Sequence, residues 1–295
     1  MKYNNYDITK IYYSGYTITK VMGCGGLTVF EENPSNHYKL YYENISGQTG
    51  TIQCNSATTL TSGETKSVVI EPEGVRCFKK AVIGDCVIEI GNGAFSGETC
   101  LTSITFSDTV IALDAYSFYG CNSLTGVTLP SGLQGIGISA FENCTYLRNI
   151  NLPSSLTLIG QKAFKGCWDI RSISIPSGIT YIQDYVFQDC IGLGSVTIPN
   201  SVTRIGSGSF KGCNYLSSVT IPSGVTQLGY YVFQDCTGLT SVTCLATTPP
   251  SMYNNTGKEF DNTNNCPIYV PSASVSLYKN ATGWKTYKDR IQAIS

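Results

Sequence analysis

Residues Leu193 to Cys213 read LGSVTIPNSVTRIGSGSFKGC, and the copy that follows, Leu216 to Cys236, reads LSSVTIPSGVTQLGYYVFQDC. The unit recurs through the middle of the chain with a fixed step of 23 residues. Two columns show this step most clearly: Phe95, Phe118, Phe141, Phe164, Phe187, Phe210 and Phe233, and Cys121, Cys144, Cys167, Cys190, Cys213 and Cys236. The chain is therefore organised around a tandem repeat, in which each unit stacks on its neighbours to bury its apolar side.

Each unit carries the same succession of local patterns. The apolar ladder L-x-x-V-x-I-P predicts a short strand that ends at proline, which has no N–H to extend a ladder. The V-x-x-I-G piece predicts a second short strand, and S-x-x-A-F-x-x-C predicts about one helical or 3₁₀ turn. A period in the low twenties with L-x-x-I-x-I predicts a mainly β, right-handed leucine-rich-repeat solenoid of about eight coils.

The part of the chain that precedes the repeat array is interpreted as two segments. Residues 1–32 alternate polar and apolar side chains, which predicts a small three-stranded sheet. Such a sheet is too small for its own core, so it is either an attachment module or a subdomain that rests on the solenoid. Residues 33–77, with a possible strand at Val68–Ile70, are interpreted as a β-rich cap on the first coil, and residues 78–245 as the solenoid.

The period breaks after Cys244, and residues 246–295 are interpreted as a C-terminal strand–helix cap. Pro267 to Pro271 predicts a last strand. Ser272 is a candidate N-cap for a helix that runs through Lys279. An apolar stripe at helical spacing then continues through Trp284, Tyr287, Ile291 and Ile294.

Composition excludes several classes of partner. The chain has 295 residues with a formal net charge of −1, whereas nucleic-acid binding requires a basic surplus, so we expect no nucleic-acid partner. No apolar run reaches the roughly 20 residues of a membrane span, so we expect no membrane insertion. The N-terminus MKYNNYDITK has no apolar h-region, so the chain either lacks its leader or never had one.

The cysteine column indicates packing rather than chemistry. A residue type fixed in one column of a solenoid is normally a small, buried side chain, and we expect reduced thiols there. The sequence has no C-x-x-C motif, so we expect no metal and no cofactor. The sequence leaves open whether a disulfide forms among the scattered cysteines, which are Cys24, Cys54, Cys77, Cys86, Cys100, Cys244 and Cys266.

Catalytic patterns are absent from the sequence. The single histidine, His37, lies in a turn-rich joint without an evident catalytic partner, so Ser–His and Cys–His catalysis are not expected. Asp184 and Asp189 are a carboxylate pair only by proximity in sequence. We therefore expect a protein that is not an enzyme.

The outward positions of the predicted strands are the remaining candidates. Most are Ser or Thr, but one coil presents Arg148, Asn149 and Asn151, and the next presents Arg171 in the column of Arg148. Adjacent coils place such residues about 4.8 Å apart. Two stacked guanidinium groups could bind a carboxylate or an acidic sugar, although two solvated arginines would give the same pattern.

Aromatic side chains form the second candidate surface. Tyr116, Tyr185 and Tyr231 share one column, and Trp168 lies beside a second column that holds Tyr146 and Tyr215. Exposed rows of aromatic rings stack on sugars or anchor a protein partner. The alternative is that these rings are packing on the edge of the solenoid.

Two resemblances extend this interpretation. The unit from Leu193 to Cys213 and its copies, together with the closing YVPSASVSLYKNATGWKTYKDRIQAI, resembles the BspA-like leucine-rich-repeat family of Bacteroides-type bacteria over residues 78–295. That resemblance implies a surface or adhesive protein. The segment YDITKIYYSGYTITKVMGCGGLTVFEE is similar to the start of phage or prophage tail and appendage proteins, which assemble in the cytoplasm.

Together these observations predict a non-catalytic binding or adhesion module that presents a rigid surface to a host-surface glycan or protein. The expected setting is a phage or prophage appendage, with residues 1–32 joining virion proteins and a homo-oligomer left open. The alternatives are a BspA-like adhesin at the bacterial cell surface and a purely structural spacer. The sequence does not decide which face of the solenoid binds.

Overall fold

The computed structural model describes residues 79–81, 83, 87–253 and 257–294 with their side chains, and before residue 79 it describes only the backbone of strands. The expected strand at Val68–Ile70 lies outside the described residues. In chain order the strands are β1 (Lys2–Tyr3), β2 (Tyr6–Tyr13), β3 (Tyr16–Gly23), β4 (Gly26–Val29), β5 (His37–Asn44), β6 (Thr49–Asn55), β7 (Phe78–Ile83), β8 (Glu89–Ile90), β9 (Ser103–Thr105), β10 (Ala112–Leu113), β11 (Gly126–Thr128), β12 (Gly135–Ile136), β13 (Asn149–Asn151), β14 (Leu158–Ile159), β15 (Ser172–Ser174), β16 (Tyr181–Ile182), β17 (Ser195–Thr197), β18 (Arg204–Ile205), β19 (Ser218–Ile221), β20 (Gln227–Leu228), β21 (Ser241–Cys244), β22 (Ser251–Met252), β23 (Ile268–Val270) and β24 (Ile291–Ala293). The helical segments are α1 (Val275–Asn280) and the 3₁₀ turns Ser272–Ser274 and Trp284–Tyr287.

The chain forms a parallel β-solenoid of about nine turns with a spacing of about 23 residues, which confirms the predicted leucine-rich-repeat fold. Each coil contributes one strand to a first sheet, as in the pair β11–β13 with Val127 opposite Ile150. The V-x-x-I-G piece forms the predicted second strand, as in β10–β12 with Leu113 opposite Ile136. About eight coils were expected. The late phenylalanine, Phe260, stacks on the array like its predecessors, and β23 pairs in parallel with β21.

The pairing of strands lapses in both sheets between the same two coils, and in the first sheet it lapses again between β17 and β19. In the described residues β13 is not paired with β15, and β14 is not paired with β16. The two coils stay joined on their other side, where the N–H of Phe164 donates to the carbonyl of Val186 at 2.9 Å. We call this interruption between β13/β14 and β15/β16 the seam.

Two side-chain ladders fill the core of the array. The phenylalanine rings stack with centroids 5.1 Å apart at Phe95–Phe118 and 5.5 Å apart at Phe164–Phe187. The cysteine column is buried and its thiols are free, as predicted. Each thiol also donates to a phenylalanine carbonyl of the preceding coil, for example Cys167 Sγ to Phe141 O at 3.1 Å. The column therefore packs and hydrogen-bonds at once.

The A-F-x-x-C segment forms stacked turns, and the expected helical or 3₁₀ turn is wrong. The N–H groups of Tyr116, Phe118 and Gly120 each donate at 2.8 Å to carbonyls of the following coil. The intervening N–H groups donate within the turn, as Tyr119 does to the Tyr116 carbonyl at 3.0 Å. A helix directs all its N–H groups along one axis and could not bond sideways at every second residue.

The scattered cysteines whose side chains the structure describes are of two kinds, and the side chains of Cys24, Cys54, Cys77 and Cys86 lie outside that part. Cys100 is disulfide-bonded. Cys244 and Cys266, near the C-terminal end of the array, are free and buried. The sequence left this point open because spacing alone does not determine disulfide pairing.

The N-terminal strands belong to the same sheet as the first coils. β2, β3 and β4 form an antiparallel meander, as residues 1–32 predicted. β4 pairs with β6, β6 with β5, and β5 with β7, the first strand of the array. His37, predicted in the joint, is the first residue of β5.

The C-terminal segment places the predicted residues in different elements. Ser272 is not a helix cap, since its hydroxyl donates to the Ile294 carbonyl at 3.2 Å and α1 has no side-chain cap. Trp284 and Tyr287 are buried in a 3₁₀ turn, which is separated from α1 by the extended Ala281 and by Gly283 with its φ of 83°. Ile291 is buried in β24, which pairs with β23. The prediction of one helical stripe was wrong. The spacing of Trp284, Tyr287 and Ile291 also fits a 3₁₀ turn followed by a strand, and Ile291 pairs into the sheet.

Candidate functional site

The outward face of the first sheet is flat and rich in hydroxyl groups. In β13 the central residue, Ile150, is buried while Asn149 and Asn151 are exposed. Hydroxyls at the strand entrances bond from coil to coil, as Thr240 Oγ1 does to the Ser217 carbonyl at 2.9 Å. The face therefore carries short polar side chains on a backbone that the ladders hold in place.

Arg148 and Arg171 meet at the seam through a residue that the sequence did not single out. Arg148 Nη2 lies 2.9 Å from Asp169 Oδ2, and Arg171 Nη2 lies 2.8 Å from Asp169 Oδ1. The two arginine side chains remain 58% and 56% exposed. The two arginines lie beside strands that are not paired with each other, β13 and β15. The Asp169 carboxylate joins the two guanidinium groups instead.

Glycine in the next coil fixes the position of Arg171. Gly192 donates its N–H to the Trp168 carbonyl at 2.8 Å. A Cβ atom at Gly192 would lie 2.5 Å from that carbonyl oxygen and 2.9 Å from Arg171 Nη1. The guanidinium therefore lies directly against the backbone of Gly192, in space that a larger residue would occupy.

Exposed aromatic rings flank the arginines. Trp168, next to Asp169 in the chain, is 53% exposed. Tyr146, in the column of Asp169 one coil earlier, is 61% exposed, and Tyr215, two coils later in that column, is 67% exposed. The repeat did not point to Asp169 because its column otherwise holds cysteine, serine, tyrosine and glycine, and no other carboxylate. The sequence signal that could have found it is a lone carboxylate between two arginines of adjacent coils.

The tyrosine column lies on the turns and not beside the arginines. Tyr116, Tyr185 and Tyr231 all have positive φ, between 56° and 61°. The ring of Tyr185 occupies the space beside Gly208, where a Cβ would lie 2.6 Å from ring atom Cδ1. Lys211 Nζ lies 5.4 Å from the centroid of the Tyr231 ring. Tyr116 is exposed beside Tyr119, with centroids 5.9 Å apart.

The structure thus brings five of the eight predicted residues to one edge. Arg148, Asn149, Asn151, Trp168 and Arg171 belong to adjacent coils at the seam, whereas the three tyrosines belong to the turns. We call Tyr146, Arg148, Trp168, Asp169 and Arg171 the seam cluster.

The described residues offer little to catalysis. Burial raises the pKa of the Cys167 thiol well above its ordinary value, so this thiol is protonated and not nucleophilic at neutral pH. In residues 87–253 and 257–294, no three His, Cys, Asp or Glu side chains form a group that could hold a metal ion. None of the helices in the described residues has the length and hydropathy needed to cross a membrane. That the protein is not an enzyme stays a prediction.

Comparison with solved structures agrees with the fold. A leucine rich cell surface protein from Faecalibacterium prausnitzii A2-165 is 25% identical, with a TM-score of 0.54, covering 83% of this chain and 71% of that one. A leucine-rich repeat protein from Bacteroides ovatus ATCC 8483 is 22% identical, with a TM-score of 0.55, covering 90% and 70%, and supports the fold alone. Comparison with curated protein sequences finds no match.

The family comparison covers most of the array. Residues 74–194 and 181–281 match the BspA type leucine rich repeat region, in 6 copies. These segments include the seam cluster, both side-chain ladders and part of the C-terminal cap. The chain therefore belongs to the BspA-type leucine-rich-repeat family.

Proposed function

We propose that the protein is a non-catalytic binding module that presents one edge of a rigid solenoid to a glycan or protein partner at a bacterial cell surface. The observation that carries this function is the seam cluster, which combines two exposed arginines with two exposed aromatic rings. The fold does not need these residues, because the column of Arg148 and Arg171 holds lysine, threonine, glycine or serine in other coils. Exposed aromatic rings beside arginine are typical of binding surfaces.

Two further observations support the cell-surface setting. The structural neighbour from Faecalibacterium prausnitzii is described as a cell surface protein. Cys100 is disulfide-bonded, and disulfides persist mainly outside the reducing cytosol. A test is immunofluorescence on intact producing bacteria. Staining that requires permeabilised cells would contradict the setting.

Binding is tested with labelled full-length protein on immobilised glycans and host-surface proteins. We expect saturable binding to one class, and we expect it to fall when Arg148, Trp168 and Arg171 are replaced together by alanine. A circular dichroism spectrum that matches the wild type controls for folding. If the wild type binds nothing, the protein is a structural spacer, and deleting whole repeats would then matter more than any outward substitution.

A placement on a phage or prophage appendage is the more specific alternative, favoured by the likeness of the N-terminal segment to appendage proteins. It predicts that residues 1–32 drive assembly with virion proteins or with further copies of the chain. Light scattering after size-exclusion chromatography compares the full chain with one that lacks residues 1–32. A defined oligomer for the first and a folded monomer for the second would support the appendage. Two identical monomers would leave the free-standing adhesin.

A further inference from the structure

We propose that the seam cluster is a binding site for a carboxylate-bearing sugar of an acidic glycan, in which Arg148 and Arg171 hold the carboxylate and Trp168 or Tyr146 stacks on the ring. The inference rests on the proposed binding function and names the ligand for it. Four features support this ligand: the charge of the cluster, the guanidinium donors that Asp169 does not engage, the seam and the aromatic rings.

The cluster keeps positive charge after its internal pairing. Two guanidinium groups share the single carboxylate of Asp169, so the three side chains carry a net charge of +1. Asp169 accepts one hydrogen bond from each arginine, both through Nη2. A guanidinium has five N–H donors, so most donors of both groups point elsewhere. More than half of each side chain is exposed, which leaves room for a ligand beside the donors that Asp169 does not engage.

Asp169 and Gly192 orient the arginines before a ligand arrives. Both oxygens of Asp169 are engaged, which ties Arg148 of one coil to Arg171 of the next across the seam. Gly192 lets the Arg171 guanidinium lie against the backbone. A flexible arginine loses rotamer entropy on binding, and a guanidinium that is already held loses less. The arrangement therefore favours bidentate binding of a second carboxylate.

The seam adds polar groups beside this charge. Because β13 is not paired with β15 in the described residues, the backbone edges that face each other there do not form ladder bonds. Asn149 and Asn151 on β13 and Ser172 and Ser174 on β15 are all exposed next to these edges. Amide and hydroxyl side chains both donate and accept, which suits the hydroxyl groups of a sugar.

The aromatic rings favour a sugar over an acidic peptide. Trp168 and Tyr146 are each more than half exposed. An aromatic ring with one apolar face and a polar end packs well on the C–H face of a sugar while the sugar's hydroxyls stay solvated. A peptide of acidic residues without apolar side chains would engage the cationic groups alone and would leave these rings without a partner.

The test uses full-length protein on an array of sialic-acid and uronic-acid glycans, each beside a neutral counterpart with the same backbone. Calorimetry then gives the dissociation constant of the strongest pair. We expect acidic glycans to bind at least about tenfold more tightly than their neutral counterparts, and Arg148→Ala with Arg171→Ala to lose about tenfold or more. Affinity should fall as salt rises. The matched control is Arg204→Ala, which removes the same charge from an exposed arginine that lies over Tyr181 on the second sheet.

The rings are tested separately from the charge. Trp168→Ala should weaken binding severalfold, and Trp168→Phe should retain most of it. Leu277→Ala, at an exposed apolar residue of α1, is the control and should have no effect. Gly192→Ala should weaken binding without removing a contact group, because its new Cβ would lie 2.5 Å from the Trp168 carbonyl oxygen and 2.9 Å from Arg171 Nη1 and so displaces both residues.

The outcomes separate this inference from the proposed function. Equal binding of acidic and neutral glycans, or wild-type affinity in the double arginine variant, would overturn the acidic-sugar site and leave binding to another surface. Binding of a hexaglutamate peptide as tight as that of the glycans, with the same dependence on arginine, would identify an acidic protein as the partner and overturn the sugar. If neither glycans nor host-surface proteins bind, the proposed function fails as well.

Discussion

The repeat array and the C-terminal cap bury polar groups in different ways. In the array one arrangement is copied, since each thiol of the cysteine column donates to a phenylalanine carbonyl of the preceding coil, as Cys190 does to Phe164 at 3.2 Å. In the cap each buried polar group has an arrangement of its own. Trp284 Nε1 donates to the Pro250 carbonyl, and Tyr278 Oη donates to the Ala246 carbonyl, both at 2.7 Å.

One carboxyl group of the cap, that of Glu259, is buried without a hydrogen-bond partner among the described residues. Glu259 is fully buried, and neither carboxylate oxygen has a hydrogen-bond partner in the described residues. The array contains a milder case in the buried Ser117 hydroxyl, which is neutral. A hydrogen bond that satisfies a buried polar group in one repeat recurs in every copy of the repeat. The cap does not repeat, so each of its buried polar groups needs a separate partner. The difference predicts where the molecule responds to mutation and to pH.

The largest effect is expected at the centre of the phenylalanine stack. Phe164→Ala should lower the free energy of unfolding by about 3 to 5 kcal/mol, because the ring is fully buried and stacks on Phe141 and Phe187. Urea unfolding followed by circular dichroism measures the loss. Trp168→Ala, at an exposed ring four residues away, is the control and should change the free energy by less than about 0.5 kcal/mol. Equal losses for the two variants would mean that the stack is not the core.

The second effect is a pH dependence of the free energy of unfolding that we expect from the cap and not from the array. Burial, with a contribution from the Asp261 carboxylate, raises the pKa of Glu259 to about 7 from 4.5. A carboxyl with a raised pKa in the folded state favours folding below pH 4.5, and this contribution is lost as the pH rises through 7. Glu259→Gln should therefore raise the free energy of unfolding by about 2 to 3 kcal/mol at pH 8 and by little at pH 4.5.

Unfolding curves of wild type and Glu259→Gln across this pH range measure the difference between them. Asp108→Asn, at an exposed carboxylate of the array, is the matched control and should not alter the slope in this range. An unchanged pH dependence in Glu259→Gln would show that water or a counterion reaches the buried carboxylate.

The third effect concerns the thiol ladder. Cys167→Ala should cost about 1 to 2 kcal/mol, because it removes a buried sulfur atom together with its bond to the Phe141 carbonyl. The same burial protects the thiol. Titration with a thiol reagent should find the buried column unreactive in the native protein and reactive in urea. Fast labelling of Cys167 in the native state would show that the coils separate locally.

Sequence reasoning succeeded where the chain repeats and failed where one residue acts once. The columns of Phe164 and Cys167 fix the fold because a side chain that recurs at every coil has one environment. Ser272 and Ile291 were assigned to the wrong elements, since a helical stripe and a strand that closes a sheet share the same apolar residues. Asp169 was missed because its role depends on a contact across the seam, and a step of 23 residues does not reveal where strand pairing lapses.

The smallest stability effect is expected at the seam cluster, and this makes it a sharp test. Arg148→Ala breaks one exposed ion pair with Asp169, and such pairs contribute between nothing and about 1 kcal/mol. Urea unfolding should therefore show a loss below about 0.5 kcal/mol, with Arg204→Ala giving a similarly small change. A loss above about 1.5 kcal/mol would mean that the Arg148–Asp169 pair replaces the missing strand pairing and holds the two coils together. A small loss of unfolding free energy would mean that the fold does not require the Arg148–Asp169 pair. The two oriented arginines at that edge would then serve binding rather than stability.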